Sequence, residues 1–454
     1  MEKEKVKLAR VLTLSQVVIL GIAWNNPAVF FNTYGIAATT SHGVITGAYI
    51  LAFLAILSTA LSYAKMSKAY PVSGSAYTFA RKSIHPGVGF IVGWTIMLDY
   101  ILTPLVTCLM STIYLSVILP EIPHFVWVIL WTASIVTPAI MGINISALMS
   151  KIFVITQIVF VCLFCILAIK SLFEGIGAGT VISTKPLFSP HVPMSVVLSG
   201  AAILCFSFLG FDSLTTLSEE TINPEKTIPK AIILMLLIVG ILYIGSSYLS
   251  QLVHPGLSFK HVDSASLEIA LLIGGSLFKV LFITVMLIGN FTSGIAATTS
   301  ASRVLYAMGR DSVLPKNLFG YIHPKFKTPS RAIIIIGLFS MIGIVLTLEQ
   351  VIKFINFGAL IAFTSVNLSV IAHYFIKNRK RSSVKEYVSY LCLPIIGASL
   401  TFWLWSNLEL SALIVGGIWL LCGLIYLMYI TKLSGKQLSD INFGQKEIHN
   451  SKGN

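Results

Sequence analysis

The chain alternates long apolar stretches with short polar connections along almost its whole length. A helix of about 20 apolar residues crosses a bilayer core that is about 30 Å thick. Twelve such stretches can be placed, at residues 14–37, 43–64, 87–117, 125–143, 150–170, 195–217, 229–250, 267–301, 331–348, 350–376, 387–406 and 411–432. The pattern therefore predicts an all-α integral membrane protein with twelve transmembrane helices.

Two of the predicted helices are interrupted near their middle. Helix one reads GIAWNNPAVFF, with Gly21, Asn25, Asn26 and Pro27, and helix six reads SFLGFDS, with Ser207, Gly210 and Asp212. Proline removes a backbone donor and glycine loosens a helix, and irregular backbone persists at membrane depth only where it lines protein or a cavity. Either break alone is compatible with a simple kink. Two breaks at corresponding positions of successive five-helix blocks indicate a transport site near the bilayer midplane.

Composition agrees with a membrane protein and argues against an enzyme. Of the 454 residues, 56% are hydrophobic and only 11% are charged. The six cysteines all lie in apolar stretches, where disulfides or metal sites have little support. The sequence has no H-E-x-x-H motif, no G-x-S-x-G motif and no cluster of His and Cys. We therefore expect no enzyme activity, no cofactor and no metal.

Lys and Arg are concentrated in alternate connections. If the N-terminus is inside, the outer connections keep little more than Lys170, Lys185 and Lys260. Because cytoplasmic loops collect basic residues, both termini are expected in the cytoplasm, and topology accounts for the net charge of +14 without a nucleic-acid partner. The outer connections carry several carboxylates, which either favour an approaching cation or are ordinary solvated loop charges. The basic start runs into helix one without a cleavage pattern, so we expect this helix to be retained.

Several segments resemble one transporter superfamily. The stretches YPVSGSAYTFARKSIHPGVGFIVGW, GFDSLTTLSEETINPEKTIPKAI and SRVLYAMGRDSVLPKNLFGYIHPKFKTP are similar to signature segments of the amino acid, polyamine and organocation transporters. Within that superfamily, MLDYILTP, CFSFLGFDSLTTLSEET and KFINFGALIAFTSVNLSV most resemble bacterial putrescine importers. The resemblance extends over essentially all twelve predicted helices.

The resemblance implies a fold and a function. The expected fold is of the leucine-transporter type, a single transporter domain over residues 1–454. It has an inverted five-plus-five repeat (11–170 and 195–376), two extra helices (387–432) and a cytoplasmic tail (433–454). The expected function is import of putrescine across the plasma membrane, the bacterial inner membrane, driven by the proton gradient and the membrane potential. A neutral or cationic amino-acid permease and an amine antiporter are the alternatives.

The break of helix one favours an amine over an amino acid. Amino-acid permeases of the superfamily typically have a glycine-rich break there, whose free N–H groups receive the substrate carboxylate. In this sequence Pro27 has no N–H, and Asn25 and Asn26 add bulk. Putrescine has no carboxylate. It has two ammonium groups on a four-carbon stem and requires anions for the heads and apolar walls for the stem.

Asp212 is the leading candidate for binding an ammonium group. Burying a carboxylate within the membrane costs at least about 2.5 kcal/mol, and helix six has no Lys or Arg to neutralise it. We expect Asp212 to bind the substrate or a proton, with a helix cap as the alternative. In related antiporters an acid occupies this position and the aromatic residue six positions earlier, here Phe206, gates the substrate. Ser207, Gly210 and Phe211 belong to the same expected site.

Helix three supplies a second pair of candidates. Asp99 and Tyr100 point about 100° apart on a helix, so we expect only one of them to face the pathway. We favour Tyr100 as a cation–π wall and leave Asp99 open between second ammonium partner and structural anchor. Trp24 is expected to line the route, with packing against lipid or protein as the alternative.

Glu219 and Glu220 close helix six on the inner side and are candidates for an inner gate or a proton relay. Pairing with Lys226 or Lys230 explains them equally well. Some proton-coupled relatives have a lysine in helix five where this chain has Gln157, so proton binding would fall on carboxylates. The hydroxyl groups around Thr298 in helix eight are a less favoured sodium site, because such groups also serve helix packing.

Overall fold

The computed structural model describes residues 10–72, 75–142, 147–310, 314–326 and 328–433. Almost all of the predicted cytoplasmic tail lies outside these residues. Each of the twelve predicted apolar stretches corresponds to a helix. The helices are α1 (Leu14–Asn25 and Val29–Thr40), α2 (Ile45–Ala69), α3 (Pro86–Ile118), α4 (His124–Met141), α5 (Ala147–Phe173), α6 (Met194–Leu204), α7 (Pro224–Val253), α8 (Ala265–Arg310), α9 (Ser330–Ser340), α10 (Leu348–Val370), α11 (Leu393–Ser406) and α12 (Leu410–Leu433).

The predicted all-α membrane architecture is confirmed. Among the described residues, ten helices are long and apolar enough to cross a membrane, and the two halves of α1 together make an eleventh span. The shorter apolar helix Ser330–Ile344 stands where the ninth span was predicted. Within the described residues the backbone forms no β-strand, only one isolated bridge between Leu12 and Thr221. The limits of the two inverted repeats stay a prediction.

The predicted break in α1 is present. The first half ends at Asn25, Asn26 has a positive φ of 61°, and the two halves are bent by 46°. Asn tolerates this left-handed region better than most residues. Pro27 then starts the chain in its new direction without an N–H to satisfy.

The predicted break in α6 is also present. The α-helix ends at Leu204 and is followed by a 3₁₀ turn, Cys205–Phe208. A second 3₁₀ segment, Asp212–Glu219, begins after Gly210, and α6 denotes the whole span from Met194 to Glu219. Gly210 has a φ of 110°, and a Cβ at this position would lie 2.3 Å from Cδ1 of Trp24. Only glycine meets both requirements, the positive φ and the close approach of the indole ring.

The two breaks lie inside the bundle. α2 packs along α7, and α3 packs along both α8 and α10. The first half of α1 packs against α5 and α7, while α6 packs against α2 and the second half of α1. The irregular backbone of α1 and α6 is therefore enclosed by other helices, as the hydrocarbon environment requires.

Both ends of the broken region are covered. At one end, the N–H groups of Val11 and Leu12 donate to the carbonyl of Glu220 (2.9 and 3.0 Å), and Ile222 donates to Leu12. At the other end, a Cβ on Gly35 in α1 would lie 1.9 Å from the carbonyl oxygen of Val262. Val262 belongs to a 3₁₀ turn that precedes α8. Segments outside the long helices therefore contact both ends of the broken region.

We predict that Gly210→Ala destabilises the protein by about 1–3 kcal/mol, because alanine must adopt a strained φ and its methyl group meets Trp24. Thermal unfolding of the purified protein in detergent measures the effect. Gly245→Ala is the matched control, because among the described residues nothing outside the local helix backbone lies within 4 Å of the Cβ position of Gly245. Equal unfolding temperatures for the two variants would contradict the prediction.

Candidate functional site

A small cavity lies where the breaks of α1 and α6 meet α3 and α8. Its walls include Trp24, Asn26, Asp99, Phe206 and Asn290. The free volume is about 30 Å³, enough for about one or two water molecules and too small for a four-carbon diamine. The structure is thus a closed form, and side chains must move before a substrate of that size can enter.

A larger groove of about 520 Å³ lies elsewhere, between α3, α4, α5 and α8. Its walls are almost entirely apolar and include Leu130, Phe153 and Phe291. Such a surface is typical of a membrane protein that faces lipid chains. The polar cavity at the breaks, although smaller, is therefore the candidate functional site.

The α3 wall of the cavity is one helix face. Asp99, Thr103, Val106 and Met110 line it, at the spacing that stacks side chains along one side of an α-helix. Asp99 and Met110 are 11 residues apart, so this face extends over about 16 Å. The cavity is therefore bordered by a long strip of α3 with a carboxyl group at one end.

Asp99 lines the cavity, whereas Tyr100 does not. The hydroxyl of Thr103 donates to Oδ1 of Asp99 at 2.8 Å. Tyr100 is buried behind the cavity wall, with its ring centroid 6.2 Å from that of Trp24. Of the two residues, the structure turns the carboxylate toward the cavity, and the tyrosine supports an aromatic residue of the wall.

Asp212 lies behind the cavity wall. Its side chain is almost fully buried, at the start of the second 3₁₀ segment of α6. The carboxylate lies against the backbone N–H groups of Gly210, Ser213 and Asp212 itself. Its charge also acts on Asp99 and on the hydroxyl of Tyr100. The position is compatible with both expected roles, a helix cap and an anion for the transport site.

The two carboxylates form one acidic region without a basic partner. Within the described part of the chain, neither Asp99 nor Asp212 forms an ion pair with Lys or Arg. Tyr63 lies in the same electrostatic neighbourhood. Since an intramembrane carboxylate ordinarily pairs with a cation or binds a proton, this region is suited to receiving positive charge.

Asn25 joins the two breaks through its side-chain amide. Nδ2 donates to the carbonyls of Ser207 (2.9 Å) and Leu209 (2.7 Å). The hydroxyl of Tyr243 donates to Oδ1 of Asn25 and, at 3.1 Å, to the carbonyl of Asn26. The amide of Asn25 is therefore occupied by protein partners, although the residue contributes to the cavity wall.

Ser207 and Phe211 also face protein in this structure. The Ser207 hydroxyl is fully buried and lies 3.3 Å from the hydroxyls of Thr33 and Tyr49. The ring of Phe211 packs against Tyr63, with 5.2 Å between ring centroids, and is fully buried. Of the aromatic residues proposed from the sequence, Trp24 and Phe206 are the ones that line the cavity.

Helix α8 contributes two cavity residues that the sequence reasoning missed, Asn290 and Ser293. The amide of Asn26 donates to Oδ1 of Asn290 at 3.2 Å, and Ser293 donates to the carbonyl of Trp24 at 3.3 Å. Their signal is the polar stretch NFTSG inside an apolar helix. The predicted candidates on α8 were instead the hydroxyl groups around Thr298.

The predicted inner gate is only partly described. The carbonyl of Glu220 holds the N-terminal segment through Val11 and Leu12, which gives Glu220 a backbone role at this end. Of Glu219 only the backbone lies within the described residues.

Near the predicted sodium site, Thr299 and Ser302 donate to carbonyls of their own helix, and the Thr298 hydroxyl has no partner in the described part.

On the predicted outer face, several carboxylates are already paired. Lys353 forms an ion pair with Glu349 at 2.6 Å and another with Glu409. Its hydrogen bond lowers the pKa of Glu409. Glu174 pairs with Lys170 at 3.6 Å. These pairs reduce the negative charge that this face offers to an approaching cation.

Comparison with known proteins identifies relatives over nearly the whole chain. The family model "Amino acid permease" matches residues 15–435. The chain is 42% identical over 429 residues to the low-affinity putrescine importer PlaP of Escherichia coli K12, which covers 94% of this chain and 95% of that protein.

More distant relatives have other cargo in their names. The chain is 30% identical to the branched-chain amino acid permease BcaP of Bacillus subtilis, over 94% of both chains. It is 28% identical to the methylthioribose transporter of the same organism, over 94% of this chain and 95% of that one. The fold, the paired breaks and these matches together show that the chain belongs to the amino acid permease family, within the amino acid, polyamine and organocation superfamily.

Proposed function

We propose that this protein is a secondary active transporter that imports a polyamine, most specifically putrescine, across the plasma membrane. The observation that carries the proposal is the acidic region of Asp99 and Asp212, which has no basic partner in the described part of the chain. The similarity to an importer that is named for putrescine supports the same substrate.

The chemistry of the cavity matches an ammonium group. Asp99 lies on the cavity surface, and the charge of Asp212 adds to it from behind. A substrate ammonium would neutralise buried negative charge that otherwise must bind a proton. Trp24 and Phe206 give the apolar stem an aromatic wall, and their π faces attract a cation.

The break of α1 is poorly suited to an amino-acid carboxylate. Such a group requires free backbone N–H donors. The N–H of Asn26 donates to Ile22, that of Val29 donates to the carbonyl of Asn26, and that of Ala28 donates to the Asn26 side chain at 3.1 Å. Pro27 has none. This argues against the alternative of an amino-acid permease, which the relationship to BcaP otherwise keeps in view.

We also propose that the driving force combines the membrane potential with protons. Each charge gains about 2.3 kcal/mol per 100 mV, so a dication gains roughly 4.6 kcal/mol, about three decades of accumulation. Protons would bind to the same carboxylates when no substrate is present. Both termini are proposed to lie in the cytoplasm, because the basic connections then lie inside.

The substrate is tested by competition. In proteoliposomes with an inside-negative potential, we expect saturable uptake of radiolabelled putrescine that unlabelled diamines inhibit and leucine or alanine does not. The reason is that a neutral amino acid brings a carboxylate for which the α1 break has no free donor. Strong inhibition by leucine with none by diamines would replace the proposal with an amino-acid permease.

The acidic region is tested by two substitutions. Asp99→Asn and Asp212→Asn should each reduce putrescine uptake at least about tenfold, because a buried charge pair with the ammonium is lost. Glu225→Gln, at an exposed position in the first turn of α7, is the control and should leave uptake unchanged. Initial rates and thermal unfolding are measured together. Full uptake by both folded aspartate variants would remove the acidic region from the site.

The orientation is tested by cysteine labelling. Thr184→Cys and Ser382→Cys each introduce a thiol at an exposed position, on the proposed outer and inner sides respectively. A membrane-impermeant maleimide applied to intact cells should label the first variant and not the second, with the unmodified chain as background. Labelling of the second variant alone would reverse the proposed orientation.

A further inference from the structure

Four amide side chains meet beside the cavity, where α1, α5 and α8 pack together. They are Asn26, Asn32, Gln157 and Asn290, called here the amide cluster. Oδ1 of Asn290 accepts from Asn26 at 3.2 Å and from Asn32 at 3.5 Å. Gly289 leaves room for them, since a Cβ there would lie 2.9 Å from Nε2 of Gln157 and 3.1 Å from Oδ1 of Asn26.

The amide cluster is incompletely hydrogen-bonded. Oδ1 of Asn32, Oε1 of Gln157 and Nδ2 of Asn290 have no partner among the described residues. All three side chains are at least nine-tenths buried, with 2%, 4% and 0% exposure respectively. The oxygens of Asn32 and Gln157 lie directly behind the wall residues Asn26 and Asn290. Because buried polar groups in proteins are normally paired, these two free carbonyl oxygens point to a ligand with donors.

The amide cluster and Asp99 lie toward opposite ends of the cavity. α8 runs antiparallel to α3, because Phe282 contacts Tyr114 and Gly294 faces Thr107. Asn290 therefore lies on a level with residues 108–110 of α3. Asp99 is about ten residues away along α3, which corresponds to about 15 Å.

This separation fits an extended four-carbon diamine. Five bonds of about 1.5 Å in a zigzag place the two nitrogens about 6 Å apart. One hydrogen bond of about 2.8 Å at each end brings the distance between the two sets of ligand oxygens to about 12 Å. The carboxylate of Asp99 extends along α3 to Thr103, on the side of the amide cluster, which shortens the separation of about 15 Å between the two levels toward this distance.

We propose that the amide cluster is the subsite for the second ammonium group of the substrate, with the first at Asp99. The inference rests on the proposed function and deepens it. An ammonium has three donors and no acceptor, so it can use the free oxygens of Asn32 and Gln157. Oδ1 of Asn290 is already occupied by Asn26 and Asn32, so its amide holds the cluster together and adds no further acceptor.

Gln157→Met tests the subsite, because methionine preserves the size of the side chain and removes the free oxygen. Binding of putrescine is compared with that of n-butylamine, which has the same stem and one ammonium group. Putrescine affinity should fall about tenfold or more, the effect expected for a lost hydrogen bond to a charged group. Butylamine affinity should change less than about twofold. Titration calorimetry on the purified protein measures both.

Gln251→Met is the matched control. Gln251 is a buried glutamine of α7 that bonds to Tyr34 at 3.2 Å. Its amide lies 3.4 Å from the Cβ position of Gly43, past the end of α1 and away from the break, so both affinities should stay unchanged. If Gln157→Met does not fold, Asn32→Ser provides the same comparison.

The possible outcomes separate the subsite from the substrate. If the unmodified protein binds butylamine and putrescine equally, or if the variant weakens both ligands to the same extent or neither, the subsite is overturned while putrescine transport stands. If the unmodified protein binds no putrescine, the proposed function itself fails. A selective loss of putrescine affinity supports both.

Discussion

The structure depends on hydrogen bonding of irregular backbone that has no access to water. A transmembrane helix can be broken only if its freed N–H and C=O groups find partners inside the protein. Here one side chain does much of this, because the Asn25 amide binds the Ser207 and Leu209 carbonyls of α6 and accepts from Tyr243. The two breaks are thus tied to each other as well as to the bundle, and the cavity exists where they are tied.

The same bonds decide which groups are left for a ligand. The donors at the α1 break are used within the protein, and the hydroxyl of Ser207 is surrounded by Thr33 and Tyr49. The groups that the cavity offers to a ligand are therefore not backbone groups but side chains of intact helices, Asp99 on α3 and Asn290 on α8. A carboxylate and amide oxygens favour cations, and this is the physical link between the way the breaks are stabilised and the class of cargo.

The closed form unites these features. Trp24 rests against Gly210, where any Cβ would collide with it, and with Phe206 it lines the small cavity between the breaks. The backbone bonds of Val11 and Leu12 to Glu220 cover one end, and the contact of Gly35 with Val262 covers the other. Under the proposed function, a diamine enters only if at least one of these contacts separates and an aromatic side chain moves, and α1 takes part in all of them.

The twelve helices, both breaks and the acidic candidates could be predicted from the sequence, because hydrophobic length, proline and glycine act locally. It also gave Trp24 and Phe206 a place near the breaks, where the structure has them on the cavity wall. Only tertiary structure decided which side of each helix meets the cavity. The helical repeat shows that Asp99 and Tyr100 point in different directions, but it does not show which of them faces the cavity. The packing of α3 against α8 decides that Asp99 does. Likewise, the sequence shows only that Asn25 and Ser207 are polar. Their hydrogen-bond partners lie far away along the chain: those of Asn25 belong to α6 and α7, and those of Ser207 belong to α1 and α2. The amide cluster depends on three helices at once, and no local pattern in α1, α5 or α8 could have brought its members together.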